Sequence, residues 1–95
     1  MFVLLVHYTA PKEKVEEYMG QHTQYLSKHY KLGHFIASGR KIPKTGGVIV
    51  IGNIEKELAE EIILGDPFHV HQVANFELIE FHTSMVCKEL KSWVE

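Results

Sequence analysis

The chain has one cysteine, Cys87, in 95 residues. A lone thiol excludes an intrachain disulfide and points to a reducing, cytoplasmic setting. No apolar run approaches the roughly 20 residues needed to cross a bilayer, so a membrane partner is not expected. The opening Met-Phe-Val-Leu-Leu-Val carries neither a basic leader nor a small-residue cleavage site and reads as a strand rather than a signal peptide. Positive charge is not in excess either: 10 Lys and Arg stand against 12 Asp and Glu, for a net charge of −2. That balance excludes electrostatic attraction to nucleic acid or acidic membranes as the basis of function. Repeats, linkers and low-complexity segments are absent.

What is present suits one globular domain over residues 1–95, with 45% hydrophobic and 23% charged residues. A domain of this size buries only about 60–65% of its unfolded surface. Self-association is therefore an expected source of further burial.

Phe2 to Tyr8 is apolar and rich in branched and aromatic residues, which predicts a buried strand. Thr9 is placed to cap the next helix, and Pro11 suits its first turn. Val15, Tyr18, Met19, His22, Tyr25, Leu26 and His29 recur at helical spacing and form one face of a long helix that stops at Gly33. His34 to Gly39 reads as a second strand, Lys41 to Gly47 as a turn and Val48 to Ile51 as an interior strand. A second helix opens at Asn53 or Glu55, turns Leu58, Ile62 and Leu64 to the core, and ends at Gly65. Val73 to Phe81 is a fourth strand, and Ser84 to Trp93 predicts a short C-terminal helix. The order β-α-β-β-α-β with right-handed crossovers predicts an α+β, ferredoxin-like plait, with both helices on one face of an antiparallel sheet. Its other face, apolar in Phe2 to Val6 and Val48 to Ile51, needs cover, and a second copy of the chain in a homodimer supplies it.

Asp66-Pro67-Phe68 marks the exit of the second helix. A carboxylate at that junction can point back toward the sheet and meet the imidazole of His22. Paired, the two make an acid/base dyad: the carboxylate fixes the tautomer, and the other ring nitrogen exchanges a proton with substrate. The plainer alternative makes Asp66 a turn cap and His22 a half-buried polar member of its helix.

Together these residues resemble the YciI-like, or YCII-related, family within the dimeric α+β barrel group. The resemblance covers about Phe2 to His82 and rests on His22, Gly33, Ser38-Gly39, the stretch Gly47 to Asn53, and Asp66-Pro67-Phe68. It implies a histidine–aspartate active site at His22 and Asp66. It also implies proton-transfer or elimination chemistry, including dehydrochlorination of a hydroxylated aromatic.

Ser38, Gly39 and Arg40 fall at a strand end. Gly39 can admit a ligand close to the backbone, and Arg40 can hold an anionic or phenolate oxygen with two N–H groups; a solvated strand exit is the bland alternative. Phe68, tied to Asp66 through one proline, is a candidate substrate contact. On a strand, His69 and His71, two apart, would share a face and could hold one metal ion with a third ligand. Without HExxH or CxxC, however, structural or solvent-exposed histidines are the preferred reading, and no metal is expected. Cys87 has only Lys88 as a nearby charge and is set aside as a nucleophile. Two functions remain: a small cofactor-independent, lyase-like enzyme acting on a small, aromatic or carbonyl-bearing substrate, and a non-catalytic dimeric module that binds a small molecule.

Overall fold

The computed structural model describes residues 1–93. Four strands, β1 (Phe2–Tyr8), β2 (Phe35–Arg40), β3 (Gly46–Ile51) and β4 (Ala74–Glu80), form one sheet in the order β2-β3-β1-β4. Every neighbouring pair is antiparallel. This is the order of the ferredoxin-like plait, and the α+β class expected from the sequence is the one observed.

Across the sheet, Leu4 pairs with Ile49 and Leu78, and Val6 with Gly47 and Phe76. Side chains opposite one another share a face. Phe2, Leu4, Val6, Ile49 and Ile51 therefore point together into the core beneath the helices, where each is buried. Phe35, Ile62 and Phe68 close the core from β2 and the helical layer. Val3, Leu5, His7, Val48, Val50 and Ile79 take the opposite parity. Ile79 remains 42% exposed there.

The helical layer departs from expectation in detail. The single long helix is two: α1 (Lys12–Glu17) and α2 (Met19–Lys31), broken at Tyr18 with φ −104° and ψ 4°. The apolar spacing runs through a one-residue break without changing phase, so the pattern does not reveal it. Pro11, rather than Thr9, occupies the cap position of α1, and no side chain caps it. Gly33 does end the segment in a left-handed turn, at φ 80°. Helix α3 (Lys56–Leu64) buries Ala59 and Ile62, whereas Leu64, expected toward the core, is 59% exposed. A one-turn helix, α4 (Pro67–Val70), follows with Asp66 as its N-cap. Ser84 to Trp93 forms no full helix; only Lys88–Trp93 coils, as a 3₁₀ segment. The Trp93 ring rests against Gly52 so closely that a Cβ there would collide with it.

One irregularity decides what the site contains. Strand β2 has a bulge at Ile36, between Phe35, which pairs with Ile51, and Ala37, which pairs with Val50. The extra residue shifts the alternation by one. Ser38, opposite Ile49, and Arg40, opposite Gly47, consequently lie on the helix-covered face with Phe35. In a regular strand they would lie on the other.

Candidate functional site

The carboxylate of Asp66 is placed by the chain on both sides of it. Helix α3 ends at Gly65, Asp66 is extended, and Pro67 takes the first position of α4, where its missing N–H costs nothing. Oδ1 of Asp66 accepts the backbone N–H of Phe68 at 2.9 Å, the N-cap bond of α4. The same oxygen lies 2.9 Å from Nδ1 of His22 on α2. Asp66 is 0% exposed, and the His22 side chain 12%. A carboxylate buried this fully requires hydrogen-bonded or charged partners. Oδ2 finds none among the described residues, so the whole compensation falls on Oδ1. An ionised carboxylate only accepts, so Nδ1 of His22 carries the hydrogen and Nε2 is left as the basic nitrogen. Asp66 thus both caps a turn and pairs with His22.

Aromatic rings fix the pair further. His22 stacks on Phe68 with ring centroids 4.1 Å apart and planes 8° from parallel. Tyr18 stacks on His71 at 3.9 Å and 7°, joining the start of α2 to the end of α4. The buried Tyr25 hydroxyl donates to the carbonyl of Ile62 at 2.7 Å, tying α2 to α3. Burial first, and the Asp66 charge second, push the Tyr25 phenol far up, so it stays a neutral donor.

His22 and Phe68 form part of the wall of a cavity of about 220 Å³ between α2 and the β1–β3–β2 side of the sheet. Tyr8, Ser38, Gly39 and Arg40 line it as well, with Met19 and Leu26 supplying apolar surface from α2. All the residues singled out from the sequence as substrate contacts meet here, yet not on equal terms. The Ser38 hydroxyl already pairs with the Tyr30 hydroxyl at 2.7 Å. A Cβ at Gly39 would meet nothing within 4 Å, so the fold itself does not demand glycine there. Gly46 is the glycine the backbone requires, because a Cβ would run into the Val6 carbonyl. Tyr8 and Tyr30 were not legible as site residues. Tyr8 sits inside an apolar strand and Tyr30 one place off the periodic helix face, and nothing in their spacing separates them from packing residues.

His69 and His71 do not share a strand face. His69 belongs to α4 and lies by Phe76, with ring centroids 5.9 Å apart, while His71 follows α4 and stacks on Tyr18. Among the described residues no three His, Cys, Asp or Glu side chains gather as metal ligands. Cys87 is exposed.

Comparison with solved structures places this fold beside 5-chloro-2-hydroxyhydroquinone dehydrochlorinase from Burkholderia phenoliruptrix AC1100, in complex with 2,5-dihydroxybenzoquinone. The two superpose with a TM-score of 0.70 over 85% of this chain and 93% of that one, at 13% sequence identity. At that identity the likeness speaks for the fold. Among curated proteins none matches the sequence. The YCII-related domain profile matches residues 1–82, a span that holds all four strands, the cavity and both members of the His22–Asp66 pair; the chain belongs to the YCII-related domain family.

Proposed function

We propose that the chain is a small enzyme in which His22 moves a proton and Asp66 orients it, catalysing proton transfer or elimination on a small, aromatic or carbonyl-bearing substrate. The observation that supports this most is the 2.9 Å contact between Nδ1 of His22 and Oδ1 of Asp66 at the edge of the cavity. A carboxylate that holds one ring nitrogen leaves the other free to act as base and then acid. Arg40 is the permanent cation of the cavity wall and suits an anionic or phenolate oxygen. A volume near 220 Å³ suits a molecule of about one ring. The structural neighbour is named for removing chloride from a hydroxylated ring, so 5-chloro-2-hydroxyhydroquinone is the rational first substrate.

The test is chloride release from that compound, and from a panel of small enols and phenols, by the parent, His22→Ala and Asp66→Asn. Loss of turnover in both variants supports the dyad. Binding without turnover, unchanged in His22→Ala, returns the chain to the second reading, a small-molecule-binding module.

The functional unit proposed is a homodimer. Val3, Leu5, Val48, Val50 and Ile79 line the sheet face turned away from the helices, and an apolar sheet face of this kind is favourably covered by its own copy.

A further inference from the structure

Polar side chains from three separate elements line the cavity, among them His22 from α2, Arg40 from the end of β2, and Tyr8 from the end of β1. The first two have roles above. Tyr8 does not, and its surroundings single it out. It lies on the helix-covered face of the sheet, in register with Ala74. Its backbone N–H is spent on the Thr45 carbonyl at 3.0 Å. Its ring meets Phe68 edge-on, with centroids 5.8 Å apart and planes at 89°. Phe68 is also the platform of His22, so one aromatic ring seats both the imidazole and the phenol. The Tyr8 hydroxyl, unlike those of Tyr25 and Tyr30, makes no hydrogen bond to a described residue.

Resting on the enzyme reading above, we propose that Tyr8 is a hydrogen-bond donor, beside Arg40, to the substrate oxygen on which negative charge develops while His22 removes the proton. Burial raises the Tyr8 phenol above its ordinary range, the Arg40 charge opposes that, and the Asp66 charge adds to it. The net direction keeps the hydroxyl protonated at neutral pH, as a donor must be. The chemistry balances without an added oxidant or reductant. Nε2 of His22 takes H⁺ from a C–H bond conjugated to a carbonyl, such as that of the keto tautomer of a phenol. The electron pair of that bond moves into the conjugated system and loads a carbonyl oxygen, to which Tyr8 and Arg40 donate. The leaving group then departs with its own bonding pair, the carbonyl re-forms, and the proton on His22 accounts for the acid released with the leaving anion. A donor aimed at developing charge acts in the manner of an oxyanion hole.

The experiment uses 2,5-dihydroxybenzoquinone as a coloured, ionisable probe, titrated into the parent and into Tyr8→Phe. That variant keeps the ring on Phe68 and deletes only the hydroxyl. The expected result is binding of the anionic probe weakened about tenfold to hundredfold, the range for a hydrogen bond to a charged group. The last ionisation of the bound probe should also move to higher pH, because a donor favours the anion it contacts. A purely structural tyrosine would not move that spectroscopic ionisation. Should Tyr8→Phe fail to fold, the ¹³Cζ resonance of Tyr8 in the parent protein reads the same contact and must shift as probe is added. If the parent binds the probe and Tyr8→Phe binds it equally, with the same ionisation, the role of Tyr8 is overturned while the dyad stands. If neither the probe nor any of the enols and phenols of the panel binds the parent, the small-molecule site is overturned and the Tyr8 role with it.

Discussion

The His22 imidazole lies flat on the Phe68 ring, 4.1 Å between centroids, while its Nδ1 meets the carboxylate two residues before that phenylalanine. The ring plane is set by Phe68 and the rotation about it by Asp66. Both constraints come from one five-residue turn, Gly65 to His69, so the imidazole is held against a single rigid piece of backbone. Preorganisation of this kind is what proton transfer in a small cavity needs.

Replacing Asp66 with Asn preserves shape and the capability to accept the Phe68 N–H, but not the demand for a hydrogen on Nδ1 of His22. Turnover should fall by about 10²-fold or more, with a melting temperature close to the parent's, since general acid–base groups contribute roughly 10²–10⁴-fold. Steady-state kinetics beside thermal melts check this. A large drop in melting temperature with unchanged turnover would make Asp66 a cap alone.

Phe68 is 1% exposed. Phe68→Ala should lose about 3–5 kcal/mol of stability, a large share of the roughly 5–15 kcal/mol typical of a whole domain. Phe68→Leu should fold and still lose turnover, because an aliphatic side chain offers no flat platform. Urea unfolding and kinetics on the two variants separate the packing role from the platform role.

Arg40→Met should weaken binding of anionic ligands and leave neutral ones of the same shape nearly untouched. The loss is expected to be about tenfold or more, as for hydrogen bonds to a charged group. Calorimetric titration with a phenolate and its methyl ether measures the difference. Equal losses for both would show that Arg40 acts through packing.

Nδ1 of His29 lies 3.0 Å from Nδ1 of His34, an arrangement that needs one donor and one acceptor. Burial, then His34, then Lys28 lower the His29 pKa, with Asp66 acting weakly the other way. The unfolded chain therefore takes up a proton on this side chain at a higher pH than the folded one. Stability is fully present above the unfolded value of about 6.5 and declines as pH falls toward the lowered folded value. Melting temperatures between pH 8 and pH 5 should drop less steeply in His29→Phe than in the parent; parallel curves would remove this pair as the cause.

Leu5→Lys sets a charge in the middle of the apolar sheet face opposite the helices, between Glu77 and Val48 in register. Sedimentation should find the parent as a dimer and this variant as a monomer of unchanged secondary structure. A parent that sediments as a monomer would refute the proposed assembly.

Hydrophobic periodicity and turn residues were enough to read the strands, the segment ending at Gly33, the exit at Gly65 and the plait itself. Those signals are local: alternation, helical spacing and backbone breakers act over a few residues. The break at Tyr18 and the exposure of Leu64 were not readable, because neither alters the periodic pattern and both depend on what packs against the helix. The turn that carries His69 and leads into His71 was not readable, because α4 is too short to carry periodicity.

By itself the sequence determined the order of the elements and supplied a histidine and an aspartate that their connections can bring near each other. Only the tertiary structure decided that the two touch, and which other groups join them. Arg40 and Ser38 enter the cavity through one extra residue in β2, whose effect on facing exists only once the strand is paired with β3. Tyr8 enters because Phe68, sixty residues later in the chain, folds back against it. Side-chain convergence of this kind is long-range, set by register and packing between segments, and no window along the chain contains it.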